Sequence, residues 1–207
     1  MGTRNITAII KDGELKLSQY GQWDGYFSYT GTLFIDWVKE NLTDKKNKRR
    51  SQYLKDVFKE KVDLLKPVTK EYKEKLFEAV EPFSNYSEEE NLEYVIPFDI
   101  CLPQFHRNTG VKILDIINNL KSYDFKSNAG FPVEIETDCG WVEYIYVIDL
   151  DKEAVFCLTC HDFKGMDFIL PGYIKELFPD MECFYYEGID HLPSTKKIAK
   201  YVEEIGL

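Results

Sequence analysis

Positive charge is what this chain has least of relative to its opposite: 26 Lys and Arg stand against 36 Asp and Glu, a formal net charge of −10. Such a field repels phosphate backbones and anionic headgroups, so nucleic-acid binding and a membrane-surface role are not expected. Long apolar runs are missing as well. No stretch nears the roughly 20 residues that a spanning helix needs, and no basic region followed by an apolar one opens the chain as in a signal peptide. Met1-Gly2 invites myristoylation only where Ser or Thr follows at position 6, and Ile6 stands there. The expectation is a cytoplasmic protein without a lipid anchor.

Catalytic signatures are also wanting. There is no G-x-S-x-G, no P-loop and no G-x-G-x-x-G, which removes the usual marks of hydrolase triads, nucleotide kinases and dehydrogenases. The cysteines are five, an odd number. Cys101, Cys139, Cys157, Cys160 and Cys183 are scattered and mostly set in apolar stretches, which suits reduced thiols better than a disulfide framework.

What is present is core-forming material. With 44% hydrophobic and 15% aromatic residues over 207 positions, the chain can bury one sizeable core, and residues 1–207 are read as a single domain. Residues 5 to 20 read as a hairpin about Lys11-Asp12-Gly13, since Asp-Gly supplies the positive φ of a tight turn. Leu33, Phe34, Trp37 and Val38 share one helical face, with Thr30 or Thr32 as cap and an end near Asn41. The basic stretch 44–50 reads as a solvated connection to a helix through Tyr53, Leu54, Val57 and Phe58, which Pro67 is expected to stop. Tyr72, Leu76, Phe77 and Val80 mark the next helix, and 82–108 reads as loop-rich. A helix apolar over much of its circumference is predicted over Val111 to Leu120.

From Val133 the pattern turns to strands, through Ile135, Trp141 to Leu150 and Ala154 to Thr159, the last two forming a second hairpin. A short helix near Leu170 to Phe178, a strand at Cys183 to Tyr186 and a terminal helix capped by Ser194 complete the reading. The fold class expected is α+β, mostly antiparallel sheet covered by helices.

Cys157-Leu158-Thr159-Cys160-His161 has the C-x-x-C-H spacing of haem attachment and offers zinc ligands. It continues an apolar strand, however, and neither His106 nor His191 has a cysteine two or three residues away, so a core strand running out to a polar loop is preferred. No metal and no cofactor are expected. The segment Gln19-Tyr20-Gly21-Gln22-Trp23-Asp24-Gly25-Tyr26 differs in kind, because its glycines let the backbone turn while its amides, indole and carboxylate present stacking and hydrogen-bonding groups. Arg4, Gln19, Tyr20, Gln22, Trp23 and Asp24 are the candidate ligand-binding residues. An Arg4–Asp24 bidentate pair is expected at the base of the hairpin.

Met1-Gly2-Thr3-Arg4-Asn5, the Asp12-Gly13 turn and Gln19 to Tyr26 resemble a family met in bacteriophage and fungal sequences, which brings no established activity with it. Tyr146-Val147-Ile148-Asp149-Leu150-Asp151 resembles that family's later hairpin. More remotely, the first hairpin is similar to that of N-terminal nucleophile hydrolases of the bile-salt hydrolase type. That likeness implies an αββα sandwich whose nucleophile would stand at position 2 with Asp24 by the freed amine. Gly2 has no side chain to attack with, which turns the implication towards a binding descendant.

The leading expectation is therefore a non-enzymatic, phage-type protein that binds a small polar molecule, a host signalling nucleotide included. One alternative is an amide-cleaving or amide-forming enzyme using Cys139 or Cys160 with Asp24, His106, His161 or His191. Another is a protein that occupies a host protein through Tyr20, Trp23, Tyr26 and Phe27.

Overall fold

The computed structural model describes residues 2–80, 102–121, 130–133, 135, 141–164 and 168–207. Strand β1 (Asn5–Lys11) and strand β2 (Glu14–Gly21) form the first hairpin, closed by Asp12 and Gly13 at φ 57° and 71°. Positive φ at both central residues matches the right-handed twist of the flanking strands, which is why Asp-Gly marks the site. The second hairpin pairs β5 (Tyr144–Asp149) with β6 (Ala154–Thr159), and β7 (Glu182–Gly188) continues antiparallel along β6. The two hairpins meet along a parallel β1–β5 seam that sets Asn5 beside Tyr144 and Ile9 beside Ile148. The five-stranded sheet thus has the order β2-β1-β5-β6-β7.

Period-two alternation sends the sheet's residues to two separate cores. On one face Ile9, Tyr146, Ile148 and Val155 pack under helices α1 (Thr32–Leu42), α2 (Lys48–Val62), α4 (Ile113–Asn118) and α6 (Thr195–Ile205). On the other, Ile6, Ala8, Ile145, Val147 and Phe156 pack with Ile174 of the short helix α5 (Gly172–Leu177) and with Phe178. Burial on both faces explains why every residue of β5 and β6 is buried and why the run reads as continuously apolar. Each fully buried Ile or Phe here contributes roughly 1.5–3 kcal/mol. The class is α+β, as expected. The αββα sandwich finds no support among the described residues, where the second sheet is only β3 (Leu65–Pro67) beside β4 (Phe131–Val133).

Several local expectations need correction. A π-helical turn, Phe27–Gly31, leads into α1, so Gly31 takes the N-cap position without a side-chain cap; Thr30 instead donates to the Asp24 carbonyl at 2.6 Å. A Cβ at position 31 would sit 2.4 Å from the Phe27 ring, which is why glycine stands there. Pro67 does not stop α2, which ends at Val62; Leu65–Pro67 is strand. Asn47 caps α2 by accepting from the Arg50 N–H at 3.1 Å, and the basic residues Lys48, Arg49 and Arg50 form its exposed first turn. The helix expected over Val111 to Leu120 is a 3₁₀ turn, Gly110–Lys112, followed by the shorter α4. Helix α3 (Lys70–Val80) is present. Cys101, Cys139 and most of the loop-rich 82–108 stretch lie outside the described residues. Among those described, no helix is long and apolar enough to cross a membrane.

Candidate functional site

The pairing that sets Asn5 beside both Gly21 and Tyr144, and Tyr144 beside Thr159, brings four chain segments to one end of the sheet. There β1 begins, β2 ends, β5 begins and β6 ends. The segment after β2 folds back across the start of β1: the Gly25 N–H donates to the Thr3 carbonyl at 3.0 Å. A Cβ on Gly25 would lie 3.0 Å from the backbone oxygens of both Thr3 and Arg4, so only glycine permits the crossing. From below, the buried Tyr146 hydroxyl donates to the Gly25 carbonyl at 2.7 Å. Asp24 takes φ 51°, and its carbonyl accepts from the Thr30 N–H.

The six predicted residues are distributed as follows. Trp23 and Asp24 are exposed, and the indole of Trp23 rests on Gly2, where a Cβ would sit 2.3 Å from Cε3. Arg4 does not pair with Asp24: its guanidinium lies over the Trp141 ring, 5.5 Å from the centroid, and no ion pair joins the two among the described residues. The Trp141 ring supplies a face on which the planar cation can stack, which a pair with Asp24 would forgo. Gln22 is partly buried, with its N–H donating to the Arg107 carbonyl at 2.9 Å. Gln19 is buried on the helix side of the sheet, its amide donating to the carbonyls of Tyr20 at 3.0 Å and His106 at 3.3 Å. Tyr20 packs against the opposite core. Strand alternation thus separates Gln19 and Tyr20 from each other and from the exposed group.

Arg4 meets the second hairpin instead. Glu143 Oε1 lies 3.4 Å from the Arg4 backbone nitrogen, and its Oε2 lies 3.2 Å from His161 Nε2. The Tyr144 ring is 5.6 Å from that of His161 and 6.0 Å from that of Tyr26. Trp141, Glu143 and Tyr144 were not singled out from the sequence, and His161 was weighed as a metal or haem ligand and as one of several acid–base partners for a cysteine nucleophile, not as part of this group. A signal existed, because the register pairing Asp149 with Ala154 places Glu143 opposite Cys160.

Electrostatics point to hydrogen bonding here more than to nucleophilic attack. Burial, aided by the charge of Glu143, raises the Cys160 thiol, the reverse of what an activated nucleophile requires. Burial, with Tyr26 and Glu143 adding to it, likewise raises the Tyr144 phenol, which stays an O–H donor at neutral pH. Cys157 is turned into the core while Cys160 is exposed, so the C-x-x-C-H motif is a strand leaving the interior. Among the described residues no three His, Cys, Asp or Glu side chains converge as metal ligands. Phe27 is buried and Tyr20 faces the other side, so the four aromatics expected to form one interface do not share a surface. Comparison with protein-family models, curated proteins and solved structures finds no match to the chain.

Proposed function

We propose that this chain is a binding protein that holds a small polar molecule with a flat ring at the sheet end, without transforming it. The observation that carries the reading is the exposure of three large aromatic rings, Trp23, Tyr26 and Trp141, at 51%, 52% and 74%, beside Arg4, Asp24 and Glu143. Removing apolar surface from water is favourable by roughly 25 cal/mol per Å², and a planar ligand stacked on these rings would recover that. The guanidinium and carboxylates would then fix its polar edge. A nucleotide-derived signal meets this description, its base on the rings and its phosphate on Arg4; a phage-type protein could withdraw a host message in this way. A host-protein partner is the second reading, favoured by exposed Tyr29 and Leu33, which carry the apolar surface on towards α1.

Native mass spectrometry of protein taken directly from cells tests the proposal. The expected spectrum carries one small-molecule adduct that disappears when Trp23→Ala and Trp141→Ala are combined. A bare wild-type mass, or an adduct that survives both substitutions, overturns it. Recovery of one stoichiometric protein instead of a small molecule establishes the second reading.

A further inference from the structure

A cleft of about 320 Å³ opens among α1, α2 and α4 and shares no residue with the sheet-end group. Its volume lies at the lower end of small-molecule sites, which run from roughly 300 to 1,000 Å³. Lys61 forms one wall. Its ammonium donates to the Asn118 backbone carbonyl and to Asn118 Oδ1, the latter at 3.1 Å. The Asn118 amide donates in turn to Asn41 Oδ1 at 2.9 Å, and the Asn41 amide to the Trp37 carbonyl at 3.0 Å. This relay fixes the ammonium in advance and leaves one of its N–H groups free. Burial pulls the pKa of Lys61 down, and among the described residues no acidic neighbour offsets the effect. A cation held without a counter-charge at the edge of a cavity is a seat for an anion.

The other wall carries the opposite charge. Asp44 is engaged, its Oδ1 accepting from the Lys46 N–H at 3.0 Å and its Oδ2 lying 3.7 Å from Arg50 Nε. Glu40, exposed on the last turn of α1, has no partner among the described residues. Leu54 and Val57, one turn apart on α2 and partly exposed, line the cleft with apolar surface. Arg50, which also lines the cleft, offsets Asp44, so Glu40 is the charge that would repel a polyanion, while a hydrocarbon would leave Lys61 without its anion. We propose that the cleft binds a small zwitterion with an aliphatic body, in chemical class an α-amino acid: carboxylate on Lys61, ammonium towards Glu40, aliphatic part on Leu54 and Val57.

Titration calorimetry on the full chain decides this, with L-leucine, isovalerate, isoamylamine and inorganic phosphate as probes. Leucine is expected to bind, and the two one-headed analogues to bind about tenfold more weakly or worse. Lys61→Met, which keeps the aliphatic stem, should weaken leucine by about tenfold or more. Glu40→Gln should weaken leucine and leave isovalerate unchanged, while Trp23→Ala should change neither, which separates this site from the sheet end. No heat from leucine up to roughly 10 mM overturns the proposal, as do phosphate binding as tightly as leucine or an unchanged leucine affinity in Lys61→Met. If Lys61→Met loses its cooperative melt, the surface substitution Glu40→Gln decides alone, and an unchanged leucine affinity there is fatal.

Discussion

Tyr146 joins the core to the surface in one side chain. Its ring stacks with Tyr144 at 6.4 Å, and its hydroxyl, fully buried, donates to the carbonyl of Gly25 in the segment that presents Trp23 and Asp24. Removing that hydroxyl leaves a carbonyl that was hydrogen-bonded from beneath without its donor. Tyr146→Phe is therefore expected to lower the unfolding free energy by about 1–2 kcal/mol. It should also weaken any adduct at the sheet end while Trp23 and Asp24 stay intact. Urea denaturation and native mass spectrometry on the same preparation check both parts. A variant as stable as wild type would show that the hydroxyl does not hold the crossing.

At the scale of elements, the end of the sheet away from the site is tied by charge. The Asp151 carboxylate, in the second hairpin's turn, accepts from the N–H groups of Asp12 and Gly13 in the first, at 2.9 and 2.8 Å. Beside it, buried Lys55 of α2 pairs with both Glu153 and Asp190, and Lys59 reaches Glu153 at 3.1 Å. Burial disfavours the charge on Lys55, yet the two carboxylates outweigh it and raise its pKa. Lys55→Met keeps the stem and removes the charge. Because Glu153 and Asp190 are both partly open to water, the expected cost is about 2 kcal/mol, below the ~3–5 of a fully buried broken pair. Chemical denaturation of the single variant measures it, and no change in midpoint would mean that the network contributes nothing net. These contacts also give a physical role to the Asp12-Gly13 turn and to Asp151, which join the two hairpins at this end.

Over the whole molecule, acid should act through this same end. The backbone donors of Gly13 and Asp12 hold Asp151 below the usual carboxylate range against the opposing effect of burial, and Lys55 and Lys59 do the same for Glu153. A depressed folded-state pKa contributes stability that is complete above the unfolded values of about 3.9 and 4.3 and is lost as pH falls through the lower folded values. The melting temperature is expected to be unaffected by these groups between about pH 7 and 5 and to drop below about pH 4. Asp151→Asn should start lower and fall less steeply. Thermal melts across that range decide, and an unchanged acid slope in the variant would remove Asp151 from the account.

How much of this was legible in the sequence follows from the range of the interactions. Asp12-Gly13, the apolar, strand-favouring runs of β5 and β6, and Ser194 ahead of α6 act within a few residues, and the elements they predict are present. The Phe27–Gly31 turn was missed because a π-helical turn has no short signature. The sheet-end group was half legible: Trp23 and Asp24 are exposed, but Trp141, Glu143 and His161 reach the same end of the sheet only through the parallel seam, which no local pattern encodes. Gln19 was misread because its amide, attractive for a ligand, is taken up by the carbonyl of distant His106.

That seam also sets an order of events at the ribosome. Asp12 and Asp151 are 139 residues apart in sequence, and at roughly 5–20 residues per second the partner of β1 emerges on the order of ten seconds after β1 itself. Throughout that interval the nascent hairpin presents a strand with one long unpaired edge, so the newborn chain is most open to wrong pairing well before its terminal helix has been made.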